Sequence, residues 1–416
     1  MGDAVRTVDV LVVGGGPAGS AAAITAARAG RSVLLVDKAT FPRDKCCGDG
    51  LTTLALRLGE QLGLDPTPIN GWQPVEDAVI HSPSGRSVRF PLPRDDGRYA
   101  VVVPRREYDA ALLSLARTVG TEVAEGQAVA GIDIDDAGAT VIVDGMGRVR
   151  TATVVAADGM WSPVRRILGL STDEDRGQWH AFRQYVSNVG PAAADLHVWF
   201  ETDLLPGYAW SFPLPGGRAN VGFGVLRGGP VAIGATGRIW NELMDRPAIR
   251  SVLGERALPE DRRMAWPIPA KVDRAVLDHG PVLFVGDAAA ATDALTGEGI
   301  GQALLTGILA GEAALASGPP ADIAATYRRS VHRELVADHR MSTALQAILA
   351  RPAGARAAVR LAGATPGTRR NFARWMFEDY PRALLTTPRR WSRGMMSAPG
   401  AYAARSAPDP VDRPRL

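Results

Sequence analysis

Three groups of residues in this 416-residue sequence have the types and spacing for chemistry. The first is Gly14-Gly15-Gly16-Pro17-Ala18-Gly19, between an apolar run from Val8 to Val13 and an alanine-rich stretch from Pro17 to Ala29 that leads to a second apolar run ending at Asp37. Gly14 permits a tight turn out of a strand, Gly16 lets the backbone approach a pyrophosphate where a Cβ would collide, and Gly19 lets a helix pack close on the strand. An anion there would meet the free N–H groups of the helix start, where the dipole contributes roughly 0.3 to 1 kcal/mol. Asp37 ends the second run, where it would accept from a ribose hydroxyl. Glycine is common in the chain, 46 of 416 residues, so the reading of a bound dinucleotide rests on the context of strand, helix and acid. The second group is the loop Lys38 to Gly50, in which Arg43, Asp44, Lys45 and the adjacent Cys46 and Cys47 are poor core material and read as ligand-contacting. The third is Tyr208, Trp210 and Phe212, which alternate along one strand face and line either a pocket or a core.

The elements that must position these groups follow in chain order. A helix is expected from about Leu51 to Leu62, and short antiparallel strands over 76–103. A helix opening at Val103-Pro104-Arg105 runs to about Val119, and strands from Thr121 to Ala157 return the chain to the first unit. They end at Asp158-Gly159-Met160-Trp161-Ser162-Pro163, another strand, turn and helix, where Asp158 could equally be a helix cap. From Gln178 to Trp266, alternation predicts a second, mostly antiparallel sheet carrying a helix near Gly237 to Met244. Pro281 to Val285 reads as a short buried strand closed by Gly286-Asp287, followed by a glycine turn and a helix rich in small residues. Residues from about Ala321 to Ala350 read as one long helix, and the tail from Arg351 as patches of helix ending in proline-rich coil. Gly222 and Gly224 sit inside a strand pattern, so there is no second dinucleotide fingerprint and no tight second nucleotide site is expected.

Composition narrows the class. Hydrophobic residues at 46% and charged residues at 22% are ordinary for a soluble globular enzyme. The net charge of +3 hides an asymmetry: residues 328–416 hold 17 Arg against 6 Asp or Glu, net +11, and the rest is net −8. Basic charge confined to one end suggests an anionic surface or substrate met there and argues against a nucleic-acid-binding protein. Adjacent cysteines form neither a zinc site nor a disulfide framework, which suggests a reducing, cytoplasmic compartment. No secretory signal, lipidation motif or spanning stretch is read. The histidines show no metal spacing, and no Ser, His and Asp arrangement suggests acyl transfer.

Three motifs in one order carry a resemblance. Gly14 to Gly19, Asp158-Gly159 with Ser162 and Arg165, and Gly286-Asp287 followed by Thr296-Gly297-Glu298-Gly299-Ile300 resemble the flavoprotein superfamily of p-hydroxybenzoate hydroxylase. Within it, FPRDKCCGDGL and Tyr208-Ala209-Trp210-Ser211-Phe212-Pro213, with Gly222 nine residues later, resemble the geranylgeranyl reductase branch of archaeal lipid, plant chlorophyll-side-chain and bacterial menaquinone reductases. The resemblance covers about Asp9 to Gly311.

It implies an α/β fold: an FAD-binding Rossmann-type three-layer domain with an inserted, mostly antiparallel β substrate domain and a helical C-terminal part. The FAD-binding domain would take 1–75, 104–177 and 269–320, the substrate domain 76–103 and 178–268, and the helical region 321–416. It implies FAD as cofactor, held at its nucleotide end by Gly14, Gly16, Ala18, Gly19, Asp37 and Lys38. Arg43, Arg105 and Asp158 would follow along its polar middle, with Arg105 offering a guanidinium fork. Gly286 and Asp287 would meet the ribityl hydroxyls, and the turn Gly297, Gly299, Ile300 would aim amides and a helix end at the flavin N1 and O2 edge. One departure stands in this turn: Ala294 replaces the usual proline, and Asp293 adds a carboxylate.

The activity so implied is reduction of carbon–carbon double bonds of an isoprenoid chain in a lipid, quinone or prenylated metabolite, by hydride transfer from FAD N5. An isolated alkene needs a proton in step with the hydride, and the candidates are Cys47 and Tyr208, protonated at neutral pH by their reference values of about 8.5 and about 10. Tyr208, Trp210 and Phe212 would line the substrate pocket. An FAD monooxygenase of a prenylated or aromatic natural product would use the same motifs, and a non-catalytic prenyl carrier is the non-enzyme reading. Partners are then a hydrophobic small molecule and NAD(P)H or an external electron carrier as reductant. In the tail, Phe372, Trp375 and Met376 stand at i, i+3, i+4 spacing beside Arg369, Arg370 and Arg374. That pattern reads as a helix that either lies on the inner membrane face or caps the pocket.

Overall fold

A computed structural model describes residues 5–94, 96–171, 176–391 and 394–403. The apolar runs Arg6–Val13, Val33–Asp37 and Gly147–Ala156 pair in parallel with the first in the middle. Glu122–Glu125 extends one edge, and Val282–Phe284 with Asp278–His279 the other. Parallel neighbours require a crossover, which the helix Pro17–Arg28 supplies between the first two strands. That helix lies backbone to backbone against the helix Ile300–Ala313. A Cβ added at Gly307 would stand 2.1 Å from the Ala18 carbonyl oxygen, and one at Gly311 2.8 Å from that of Ala22. The small residues of both helices thus bring the last glycine turn up to the first.

The second sheet runs in the order Leu258–Pro259, Trp179–Ser187, Arg218–Leu226, Tyr208–Leu214, Leu196–Trp199, Asp77–His81, Ser87–Pro91, with Met264–Ile268 also on Trp179–Ser187. All of its pairs are antiparallel except Leu196–Trp199 with Asp77–His81. Strand alternation divides its central residues cleanly. Ala209, Val221, Phe223 and Val225 pack under Trp240 and Leu243 of the helix Thr236–Met244, so Tyr208, Trp210 and Phe212 face the other way, into a cavity.

Local boundaries depart from the sequence reading in three places. Leu51 lies in the strand Gly50–Thr52, and the helix begins only at Thr53, capped by the Thr52 hydroxyl. Ala100–Val102 leaves the second sheet and pairs with Gly50–Thr52 and Gln73–Pro74. The long helix is Pro320–Val331 and Ala337–Leu349, joined by a π turn at His332–Val336.

The tail is the larger difference. After the helices Pro352–Ala362 and Pro366–Met376, residues 377–391 and 394–403 run back across the first unit. The Phe377 carbonyl accepts from Thr53 N–H at 2.8 Å, Arg98 and Ala401 form a β-bridge, and Tyr402 meets Trp72 edge-on at 5.9 Å.

Candidate active site

A cavity of about 700 Å³ runs from the glycine fingerprint, past the Cys46-Cys47 loop, to the C-terminal helices. Its two ends differ in chemistry. At the first, Gly14 and Gly19 are required by the protein itself, since an added Cβ would stand 2.4 Å from the Ala157 oxygen and 1.8 Å from the Gly14 oxygen. Gly16 is not: its nearest neighbour would be Arg43 Nη2 at 3.4 Å. The space before Gly16, at the start of Pro17–Arg28, is therefore open to a ligand anion with a guanidinium waiting beside it. Asp37 holds this turn in shape, Oδ2 accepting from Gly15 N–H at 2.6 Å and Oδ1 from Ala39 N–H at 2.8 Å, so it is an anchor of the loop as well as a candidate ribose acceptor.

Lys38, Ala18 and Asp158 line the same end. Asp158 caps a helix start, Oδ2 accepting from Val164 N–H at 2.9 Å, while Oδ1 is buried and accepts no hydrogen bond among the described residues. Burial raises its carboxyl above the usual range. A buried acceptor with nothing to accept is what a ligand hydroxyl would satisfy. Gly286 is left-handed at φ +58° with Ala18 against it, and the Asp287 carboxylate beside it lines the cavity facing Lys45. Lys45 lies 3.5 Å over the Trp266 ring, and burial brings its ammonium down to about 8 against the field of Asp287.

Arg105 lines the cavity but is also paired within the protein. Its Nε and Nη2 both donate to Asp109 at 2.7 Å, and Asp109 also pairs with Arg43 at 2.9 Å. A guanidinium this deep needs a carboxylate to offset desolvation, so the fork is closed on the next helical turn. What Arg105 presents to the cavity is the edge it shares with Cys47.

Cys46 and Cys47 both border the cavity, and burial pushes their thiols up to about 12 and about 11. Their loop is bound to the aromatic strand through one buried amide. Asn220 Nδ2 donates to the Cys47 carbonyl and to Asp49 Oδ2, each at 2.8 Å, and its Oδ1 accepts from Trp210 Nε1 at 3.1 Å. Trp210 lies flat over its cross-strand partner Gly222, where an added Cβ would come within 2.2 Å of the indole. That contact explains why the aromatic motif requires a glycine on the next strand. Tyr208 is placed differently from a free acid: its hydroxyl donates to the Thr296 carbonyl, and burial raises it far above its ordinary value.

Asp293 gives the last turn its rigidity. Its Oδ1 accepts from Leu295 N–H at 3.1 Å and from Thr296 N–H and hydroxyl at 2.8 Å, fixing by hydrogen bonds a turn that Ala294 leaves without a proline. Gly297, left-handed at φ +71°, and Gly299 line the cavity. The amide of Ile300, expected to face a cofactor edge, instead donates to Glu298 Oε1 at 2.8 Å, as does that of Gly301 at 3.1 Å. A carboxylate two residues back reaches the helix end first.

The far end of the cavity is hydrocarbon. Ile80, Phe90, Leu196 and Val198 of the second sheet face Leu345, Ile348, Val359 and Phe372 of the C-terminal helices. Phe372, Trp375 and Met376 all line it, and Phe372 packs on Phe90 at 5.0 Å. The stripe therefore turns inward and caps the cavity, because the second sheet leaves an apolar face that the C-terminal helices cover. Arg374, one of the flanking arginines, is buried and paired with Asp379.

Sequence reasoning missed Asp49, left-handed at φ +66° and fully buried, which accepts from Tyr185 hydroxyl at 2.6 Å, from Asn220 and from Arg105 N–H. Burial, partly countered by those donors, brings it up to about 6. It missed Arg183, wholly buried between Asp44 and Asp261. Glu378, which accepts from Thr52 hydroxyl at 2.9 Å and Gln302 Nε2 at 2.8 Å, was missed too. The only sequence signals were an Arg on an apolar alternating strand and two adjacent acids in an arginine-rich tail.

Comparison with known proteins completes the description. Residues 7–305 match the family profile described as "FAD binding domain". Menaquinone reductase of Mycolicibacterium smegmatis is 34% identical over 338 residues, 74% of this chain and 77% of that protein. Digeranylgeranylglycerophospholipid reductase 1 of Methanopyrus kandleri is 34% identical over 331 residues, 77% of this chain and 83% of that protein. Among solved structures, a geranylgeranyl bacteriochlorophyll reductase-like protein from Thermoplasma acidophilum superposes with a TM-score of 0.75 at 21% identity, covering 93% of this chain and 100% of that one.

Proposed function

Because the chain belongs to the FAD binding domain family, within its geranylgeranyl reductase branch, and is an FAD-dependent oxidoreductase, we propose that it saturates carbon–carbon double bonds in the isoprenoid tail of a quinone or lipid. The observation that carries this reading is the apolar far end of the cavity, which offers hydrocarbon contacts from sheet and helices and begins where the polar, cofactor-binding end stops. Burial of a prenyl chain at about 0.8 kcal/mol per methylene is enough to hold such a substrate without hydrogen bonds. FAD, when bound, supplies the hydride. The open space before Gly16, with Arg43 beside it, is suited to the pyrophosphate, and the orphan oxygen of Asp158 and the carboxylate of Asp287 to hydroxyls. The reductant that restores the cofactor is NAD(P)H or an external electron carrier. Product mass tests the reading: two hydrogens gained supports it, and one oxygen gained would make the chain a monooxygenase.

Cys47 and Tyr208 are proposed to face the substrate. Cys47 is the more open of the two thiols and lies between Arg105 and Glu298, whereas Cys46 is buried toward Arg183. Cys47→Ala is therefore expected to lower turnover at least fivefold more than Cys46→Ala, with FAD content equal in both; equal turnover would return Cys47 to plain packing.

Access from a membrane is proposed at the C-terminal helices. Ile348 is 52% exposed while also lining the cavity, and Leu361 at 70%, Leu385 at 85% and Trp391 at 58% are exposed in the same part of the chain. Arg351, Arg356, Arg360 and Arg389 are exposed among them, and each near an anionic leaflet contributes about 1 kcal/mol that salt screens. No helix among the described residues is long and apolar enough to cross a membrane, so contact would be peripheral. The protein is expected to sediment with anionic vesicles at low salt and not with neutral ones, and the double change Leu385→Glu, Trp391→Glu to weaken binding by roughly tenfold. Equal binding by variant and parent would refute this route.

A further inference from the structure

Beneath the last glycine turn, the buried carboxyl groups of Asp293 and Glu378 flank one guanidinium, with the part-buried Glu298 beside them. Arg382 lies 3.9 Å from Asp293 and 3.7 Å from Glu378, and Glu298 completes the set. One cation cannot balance three anions so close together, so a proton must remain. Asp293 is ionised: against burial, Arg382 and the hydroxyl and amides it accepts from hold it below the usual range. Glu298 is at the other extreme, since burial and then the nearby Glu378 push it up to about 8, more than its two amide donors pull it down.

Of the three carboxyl groups, Glu298 is the one that borders the cavity, in the stretch that also holds Cys47 and Tyr208. Its Oε1 is fixed by the Ile300 and Gly301 amides, which leaves Oε2 to carry a proton. Other protonated groups of the cavity are engaged elsewhere: the Tyr208 hydroxyl is spent on Thr296, the Cys47 thiol is pushed up to about 11, and the Lys45 ammonium is held over the Trp266 ring in the field of Asp287. A general acid works best when it titrates near the operating pH.

We propose that Glu298 is the proton donor of the double-bond reduction, and that Glu378 is the positioning residue that keeps the proton on it. The inference rests on the reductase reading above. One alkene carbon receives a hydride, with its electron pair, from reduced flavin; the other forms its C–H bond with the Glu298 carboxyl proton. The O–H bond breaks, its electron pair stays on Glu298 as carboxylate, the flavin is left oxidised, and solvent returns the proton. The charged and titratable groups facing Glu298 are Glu378, Asp293 and Arg382 on the buried side and Cys47, Tyr208 and Tyr108 on the cavity side.

Glu298→Gln, which can still accept the two amides, is expected to retain FAD and substrate affinity but to slow saturation of the chain by about a hundredfold or more. In the parent, Glu298 is protonated below about 8, so the rate should be flat at low pH and fall as pH rises through about 8. Glu378→Gln removes the like charge, lowers the Glu298 value, and should move that fall to lower pH. Infrared spectroscopy supplies a readout free of turnover: a protonated-carboxyl band that titrates with the same midpoint and is lost in Glu298→Gln. A Glu298→Gln enzyme within threefold of the parent, a band unaffected by the change, or a pH limb unmoved in Glu378→Gln would overturn the assignment while the parent's turnover left the reductase reading intact. A parent that shows the band and saturates no chain would overturn both.

Discussion

Gly16→Val is expected to give a folded, colourless protein. In the parent, FAD should copurify and tint it yellow. The three fingerprint glycines are not equivalent, because Gly14 and Gly19 are pressed against backbone oxygens at 2.4 and 1.8 Å from an added Cβ, whereas at Gly16 only the end of Arg43 comes near, at 3.4 Å. Valine at position 16 therefore fills ligand space and little else. Its thermal midpoint should stay within a few degrees of the cofactor-free parent, its flavin content should fall below a tenth, and Gly19→Val by contrast should fail to fold. A Gly16→Val protein with full flavin content would show that this space is not where the pyrophosphate sits.

Removal of residues 351–416 is expected to do the most damage of any change considered, because the tail is part of the core. Val359, Ala373 and Phe377 are buried against Ile80, Val88 and Phe90, and each large side chain so buried is worth about 1.5 to 3 kcal/mol. The cut also removes the Phe377 carbonyl from Thr53, the Asp379 carboxylate from Arg57 at 2.5 Å, and Glu378 with Arg382 from the buried carboxyl cluster. The fragment should aggregate, or if soluble should expose the far end of the cavity and bind FAD weakly. A stable, yellow 1–350 fragment would mean that the first unit closes without the tail. Membrane binding is accordingly better tested with Leu385 and Trp391, both on the surface, than by truncation.

The sequence made the cofactor end legible because its signals are local: a glycine every few residues, the strand before and the helix after all lie within thirty residues and need no partner to be recognised. The aromatic strand was legible for the same reason, since alternation alone puts Tyr208, Trp210 and Phe212 on one face. What periodicity does not say is what covers a face. The stripe Phe372, Trp375, Met376 has the spacing of an interfacial helix, but the second sheet supplies its cover some 280 residues earlier, at Phe90. The clusters that set the site's electrostatics were invisible for a related reason. Glu378 with Thr52, Arg183 with Asp44 and Asp49 with Asn220 join residues more than 130 positions apart, and no single one of them is unusual in its own surroundings. Arg105 lines the cavity as expected of a cofactor contact, but its pairing with Asp109, one turn on, is a contact that the sequence reading did not include.

Saturation of the isoprenoid chain is tested most directly by one measurement. Holoprotein reduced without oxygen is mixed with a menaquinone or geranylgeranyl lipid in anionic vesicles, flavin absorbance is followed, and the extracted product is weighed by mass spectrometry. Flavin reoxidation in the absence of oxygen, at a rate set by the lipid concentration, with a product heavier by two hydrogens per turnover, is the predicted result. Flavin that stays reduced until oxygen is admitted, with a product heavier by one oxygen, would contradict it.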